Sequence, residues 1–137
     1  VDVQIQAHIP ESYIADLTQR LEIYRRIADV RTRDDALDVT DELIDRFGEP
    51  PESVNGLLEI ALLRNQASTL GVTEVKQQGE ALLFYQKKID MKQVSALVSS
   101  LKKRVMVNAG AKPYISVKIA GTPLETLAET LRILSTT

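Results

Sequence analysis

A chain of 137 residues with net charge −2, 44% apolar and 26% charged residues has the composition of a soluble globular domain. It is long enough to bury roughly two-thirds of the surface its unfolded form exposes. The absence of cysteine excludes a disulfide framework and a thiolate metal site, and no apolar run reaches the roughly 18 residues a membrane-spanning helix needs. These features fit a reducing cytoplasm, and a start at Val1-Asp2-Val3, with neither an initiator methionine nor an apolar signal segment, leads us to expect one domain of a larger protein.

Taken in chain order, Val1–Ala7 alternates as a short strand. Pro10 then opens a helix over about 11–29 with Ile14, Leu17, Leu21, Tyr24 and Ala28 as its buried stripe. Thr32 is positioned to cap a second helix, whose inward face is Ala36, Thr40, Leu43, Ile44 and Phe47 and whose end is set by Gly48 and Pro50-Pro51. A third helix runs from about 51 to 70, carries Val54, Leu57, Leu58, Ala61, Leu62 and Leu70, and stops at Gly71. The character then changes. Val72–Lys76 and Ala81–Gln86 read as a hairpin about Gln77-Gln78-Gly79. Asp90 caps a helix with Val94, Leu97, Val98 and Leu101 inward, and Gln93 completes a capping-box-like pattern. Val105–Asn108 and Tyr114–Ile119 form a second strand pair, and Thr122-Pro123-Leu124-Glu125 starts a final helix. The expected class is α+β: three N-terminal helices (helical part about 9–71) followed by a ββαββα unit with a small antiparallel sheet (about 72–137), together forming one regulatory domain over 1–137.

The residues offer little for catalysis. The single histidine, His8, rules out a two-histidine zinc motif, and there is no Gly-x-Ser-x-Gly elbow. The six glycines are scattered and form no phosphate loop. We therefore expect no catalytic residue, no metal and no cofactor.

Charge is the informative feature. Residues 1–60 hold 14 Asp/Glu against 6 Lys/Arg, a balance of −8, and residues 61–137 hold 5 against 11, a balance of +6. Two faces could meet different partners, or each other. Within the acidic half, Asp34, Asp38, Asp41, Glu42 and Asp45 recur at helical steps of three and four, with no lysine on the helix and only Arg46 near. Like charges at that spacing repel, and Asp45 lies at the end where the helix dipole disfavours an anion. The stripe reads either as a docking surface for arginines or as a solvated face.

Three segments carry a family resemblance: Ile9-Pro10-Glu11-Ser12-Tyr13-Ile14, Arg20–Ala28, and Glu42-Leu43-Ile44-Asp45-Arg46-Phe47-Gly48-Glu49-Pro50-Pro51, with Leu70-Gly71-Val72 following in place. Over residues 9–75 the sequence resembles the C-terminal domain of the bacterial transcription-repair coupling factors (Mfd); beyond that only the pattern of strands and helices is similar. The resemblance implies a parent that is an ATP-dependent DNA translocase, acts on stalled RNA polymerase and recruits the repair protein UvrA. It implies that this domain, not itself an enzyme, folds back on an N-terminal UvrB-like module and masks its UvrA-binding surface. Glu42 and Asp45 are the contact residues it carries over; Asp38 and Asp41 extend the same face. The alternative is an accessory nucleic-acid-binding module using a basic surface over residues 87–104, from Lys87, Lys88 and Lys92 to Lys102, Lys103 and Arg104. Against it stand a pI of 5.5 and an aromatic content of 4% without tryptophan, which leaves no stacking platform.

Overall fold

A computed structural model describes residues 7–136. The strand expected over 1–7 lies outside them except for Ala7. In order, the elements are α1 (Leu17–Ala28), α2 (Arg33–Phe47), α3 (Glu52–Thr69), β1 (Val72–Gln78), β2 (Ala81–Gln86), α4 (Met91–Leu101), a 3-10 turn at Lys102–Arg104, β3 (Val105–Asn108), β4 (Tyr114–Lys118) and α5 (Pro123–Leu134). This is the expected α+β class. The described chain divides into two compact units, 7–65 and 66–136, with the division inside α3.

The helical unit is closed by Ile9, Ile14, Ile23, Ile27, Val30, Ala36, Val39, Leu43, Val54, Leu58 and Ala61, all buried. Its first helix corrects the sequence reading. Pro10 does not open α1; it closes a separate turn in which its carbonyl accepts from the amides of Tyr13 and Ile14. Asp16 is the cap, its carboxylate accepting from the Gln19 amide at 3.2 Å. The helix so begun buries Ile23 and Ile27, whereas Leu17 and Leu21 are 58% and 48% exposed. A 3.6-residue period fits either stripe, so periodicity on α1 alone could not choose between them. In α2 the buried positions are Ala36, Val39 and Leu43, with Thr40 and Phe47 half-buried; Ile44, expected inside, is 41% exposed.

In the other unit the four strands form one antiparallel sheet in the order β1-β2-β4-β3. Period-2 alternation directs Val75, Leu82, Phe84, Ile115 and Val117 to one face, where they are buried; α5 packs there against β2 and β4, and α4 packs against α5 and β3. Asp90 caps α4 as expected, accepting from the amides of Lys92 and Gln93. The Gln93 side chain does not reach back to the cap. It is buried, donating to the Leu70 carbonyl at 3.0 Å and accepting from Gln86. Val98, expected inward, is largely exposed. Thr122 caps α5 through the Glu125 amide at 3.1 Å, with Pro123 in the first turn.

The exchange of stripes on α1 sets an expected outcome. Ile23→Ala should cost about 2–4 kcal/mol in urea denaturation, as the loss of a fully buried aliphatic group does, and Leu17→Ser should stay within about 0.5 kcal/mol of the parent.

Candidate protein-interaction surface

The second helix is held at both ends by local chemistry. At its start Thr32 and Asp35 form a reciprocal capping box: Thr32 Oγ1 accepts from the Asp35 amide at 3.1 Å, and Asp35 Oδ2 accepts from the amides of Thr32 and Arg31 at 3.2 and 3.0 Å. Those two backbone donors hold the Asp35 carboxyl below its ordinary value. At the other end Gly48 takes φ +87°, a conformation L side chains rarely adopt, and its carbonyl accepts from the Tyr13 hydroxyl at 2.7 Å. The Tyr13 ring meets Phe47 at 6.0 Å, and burial, aided by Glu49, pushes the Tyr13 hydroxyl above its ordinary pKa.

Between these ends, burial of Ala36, Val39 and Leu43 turns the carboxylates away from the core, and the predicted residues fall into two groups. Asp38, Asp41 and Asp45 are exposed, with Asp34 beside them, and none has a hydrogen-bond or ion-pair partner among the described residues. Glu42 is different, which corrects the reading of the whole stripe as unpaired. It faces α1, where Arg26 donates to it, and Arg46, one turn along α2, donates to its other oxygen at 3.0 Å. Arg46 also lies 3.8 Å from Glu22 and its guanidinium stacks 4.9 Å from the centre of the Phe47 ring. The hydrogen bond from Arg26 is the main cause that lowers the Glu42 carboxyl below its ordinary value; partial burial opposes it and Arg46 adds to it. Glu42 thus clamps α1 to α2. No spacing along α2 announces this, because Arg26 belongs to another helix.

A shallow hollow of about 210 Å³ lined by Arg26, Asp29, Val30, Asp35, Asp38 and Val39 adjoins this face. No group of residues suited to hold a metal ion occurs among the described residues, and no helix among them is long and apolar enough to cross a membrane. The geometry defines an α+β module that offers an outward row of unpartnered carboxylates on a rigid, doubly anchored helix.

Comparison with known proteins agrees with the resemblance read from the sequence. The family described as TRCF domain matches residues 3–97. The transcription-repair-coupling factor of Staphylococcus aureus (strain USA300) is 37% identical over 82 residues, covering 60% of this chain and 7% of that protein. The same factor of Escherichia coli (strain K12) is 36% identical over 89 residues, covering 64% of this chain and 8% of that protein. A crystal structure of the C-terminal domain of a transcription-repair coupling factor superposes with TM-score 0.77 at 23% identity, over 99% of this chain and 93% of that one, and so shares the fold. The chain belongs to the TRCF domain family. It spans under a tenth of the length of these curated relatives.

The clamp has a pH signature. A folded-state pKa below the unfolded value of about 4.3 means that the contribution of Glu42 is present above that pH and is lost as pH falls through the folded value. Glu42→Gln should lower stability at pH 7 by up to about 1 kcal/mol, and its stability should converge with that of the parent as an acid titration passes below about pH 4.3. Asp45→Asn should not destabilise, since it relieves like-charge repulsion.

Proposed function

We propose that this chain is the autoinhibitory, C-terminal regulatory domain of a cytoplasmic transcription-repair coupling factor. The parent is an ATP-dependent DNA translocase that acts on RNA polymerase and DNA. The domain docks in cis on the parent's UvrB-like module and masks the surface that UvrA binds until stalled polymerase is engaged. The observation that carries the reading is the row Asp38, Asp41 and Asp45, exposed on α2 without cationic partners among the described residues. A tethered domain has a high effective concentration, so a weak polar interface is enough to mask a site and still be opened. Glu42, already shared by Arg26 and Arg46, contributes by fixing the helix that presents the row; partner arginines reach it only in competition with those two.

The test is a calorimetric titration of this domain against the separate UvrB-like module of its parent. Binding should weaken as salt rises. The triple variant Asp38→Asn/Asp41→Asn/Asp45→Asn should stay folded and lose about 2–5 kcal/mol of affinity if the pairs are desolvated, or under about 1 kcal/mol per pair at a wet rim. In the full-length parent the same variant should raise UvrA binding in the absence of polymerase. A folded triple variant that leaves both affinities unchanged removes the basis of the assignment.

A further inference from the structure

The sheet has a second face, opposite the one on which α5 packs. Opposite the row of Val75, Leu82, Phe84, Ile115 and Val117, the pairing register aligns Glu74, Tyr85, Tyr114 and Asn108 across the four strands, and Lys76, Leu83, Ser116 and Met106 in the neighbouring row, in which Leu83 is buried and Lys76 and Met106 are exposed. Tyr85 and Tyr114 are cross-strand partners with ring centres 5.3 Å apart, half-buried on the two central strands. The low aromatic content predicts no stacking platform, yet two of only four tyrosines meet there because β2 and β4, far apart in the chain, are neighbours. A hollow of about 400 Å³ flanks the pair on one side, lined in part by Leu83, Met106 and Tyr114, and one of about 330 Å³ on the other, lined in part by Tyr85, Lys87 and Lys112.

The charge around this face is positive. Lys87, Lys112 and Lys118 are exposed and without ion-pair partners among the described residues. Glu74, the carboxylate within the rows, is matched by Lys76 at 3.5 Å, and Glu80 lies in the hairpin turn. Residues 66–137 hold 10 Lys/Arg against 5 Asp/Glu, a balance of +5. The basic surface expected along 87–104 is a weaker candidate, since Arg104 is taken by Glu129 at 3.1 Å and by the Lys118 carbonyl.

We propose that this sheet face binds single-stranded nucleic acid, with bases stacked on Tyr85 and Tyr114 and phosphates met by Lys87, Lys112 and Lys118. Unpaired bases offer π-faces to the rings, whereas a duplex hides them, so the arrangement favours single strands without sequence preference. The site is separate from the acidic row on α2 and does not depend on the function proposed for it.

The experiment is fluorescence polarisation of a labelled single-stranded oligo-dT of about 12 nucleotides against the whole chain. A Kd between about 10⁻⁶ and 10⁻⁴ M at low salt is expected, with a log–log salt slope of about −2 for three phosphate contacts. Tyr85→Leu/Tyr114→Leu should weaken binding about tenfold or more, while Tyr85→Phe/Tyr114→Phe, which keeps rings and fold, should hold it within about threefold. The Asp38/Asp41/Asp45 variant should bind the oligonucleotide as the parent does. Three results overturn the proposal: no binding at about 50 mM salt, as for a face that docks protein instead; equal binding of a duplex of the same length; or full affinity in a folded leucine variant.

Discussion

Leu43 has to leave water, and an α-helix lets it do so only by turning other positions outward. With Ala36 and Val39 on the same stripe, 3.6 residues per turn send Asp38, Asp41 and Asp45 to the opposite side. The acidic row is the obligatory reverse of the buried stripe, and any substitution that rotated α2 to hide the carboxylates would expose the apolar positions. The capping box at Thr32 and the left-handed residue at Gly48 fix where this alternation begins and ends. The Arg26–Glu42–Arg46 cluster fixes α2 against α1.

The two units use their cations differently. Residues 6–65 contain no lysine, and five of their arginines brace structure. Arg20 and Arg64 donate to main-chain carbonyls, while Arg26, Arg33 and Arg46 join carboxylates on neighbouring elements or turns. A planar fork with several donors suits bridging of this kind. The other unit is rich in lysine; apart from Lys76, none of its lysines is held in an ion pair among the described residues. Point charges left in water cost little to keep there and remain available to an anionic ligand. The asymmetry of charge along the chain is therefore also one of role: arginines consumed inside an acidic unit, lysines left outside a basic one.

Asp38, Asp41 and Asp45 on α2, and Lys87, Lys112 and Lys118 around a tyrosine pair, have no ion-pair partners among the described residues and form surfaces of opposite sign. Their physics predicts different sensitivities. Docking at the acidic row, as proposed, rests on charge and should follow ionic strength throughout, whereas the proposed tyrosine site adds stacking, which salt does not screen.

What could be read along the chain was whatever depends on neighbours in sequence. The caps at Thr32, Asp90 and Thr122, the stops at Gly48 and Gly71, the hairpin about Gly79 and the shared face of the aspartates all follow from spacing and turn chemistry within a few residues. What could not be read depends on residues far apart. The spacing on α1 points to Leu17 and Leu21 as the core stripe, whereas Ile23 and Ile27 are the buried pair; both stripes fit the helical period, and only the packing of the helical unit selects one. Glu42 could not be told from Asp45 on one helix, because the cation that claims it comes from α1. Tyr85 and Tyr114 could not be joined, because the 27 residues 87–113 separate two strands that are adjacent only in the finished sheet. Local sequence determined which elements form and which side of α2 is acidic; tertiary contacts decided which carboxylates remain free and where aromatic rings meet, since those are properties of pairs that no single stretch of chain contains.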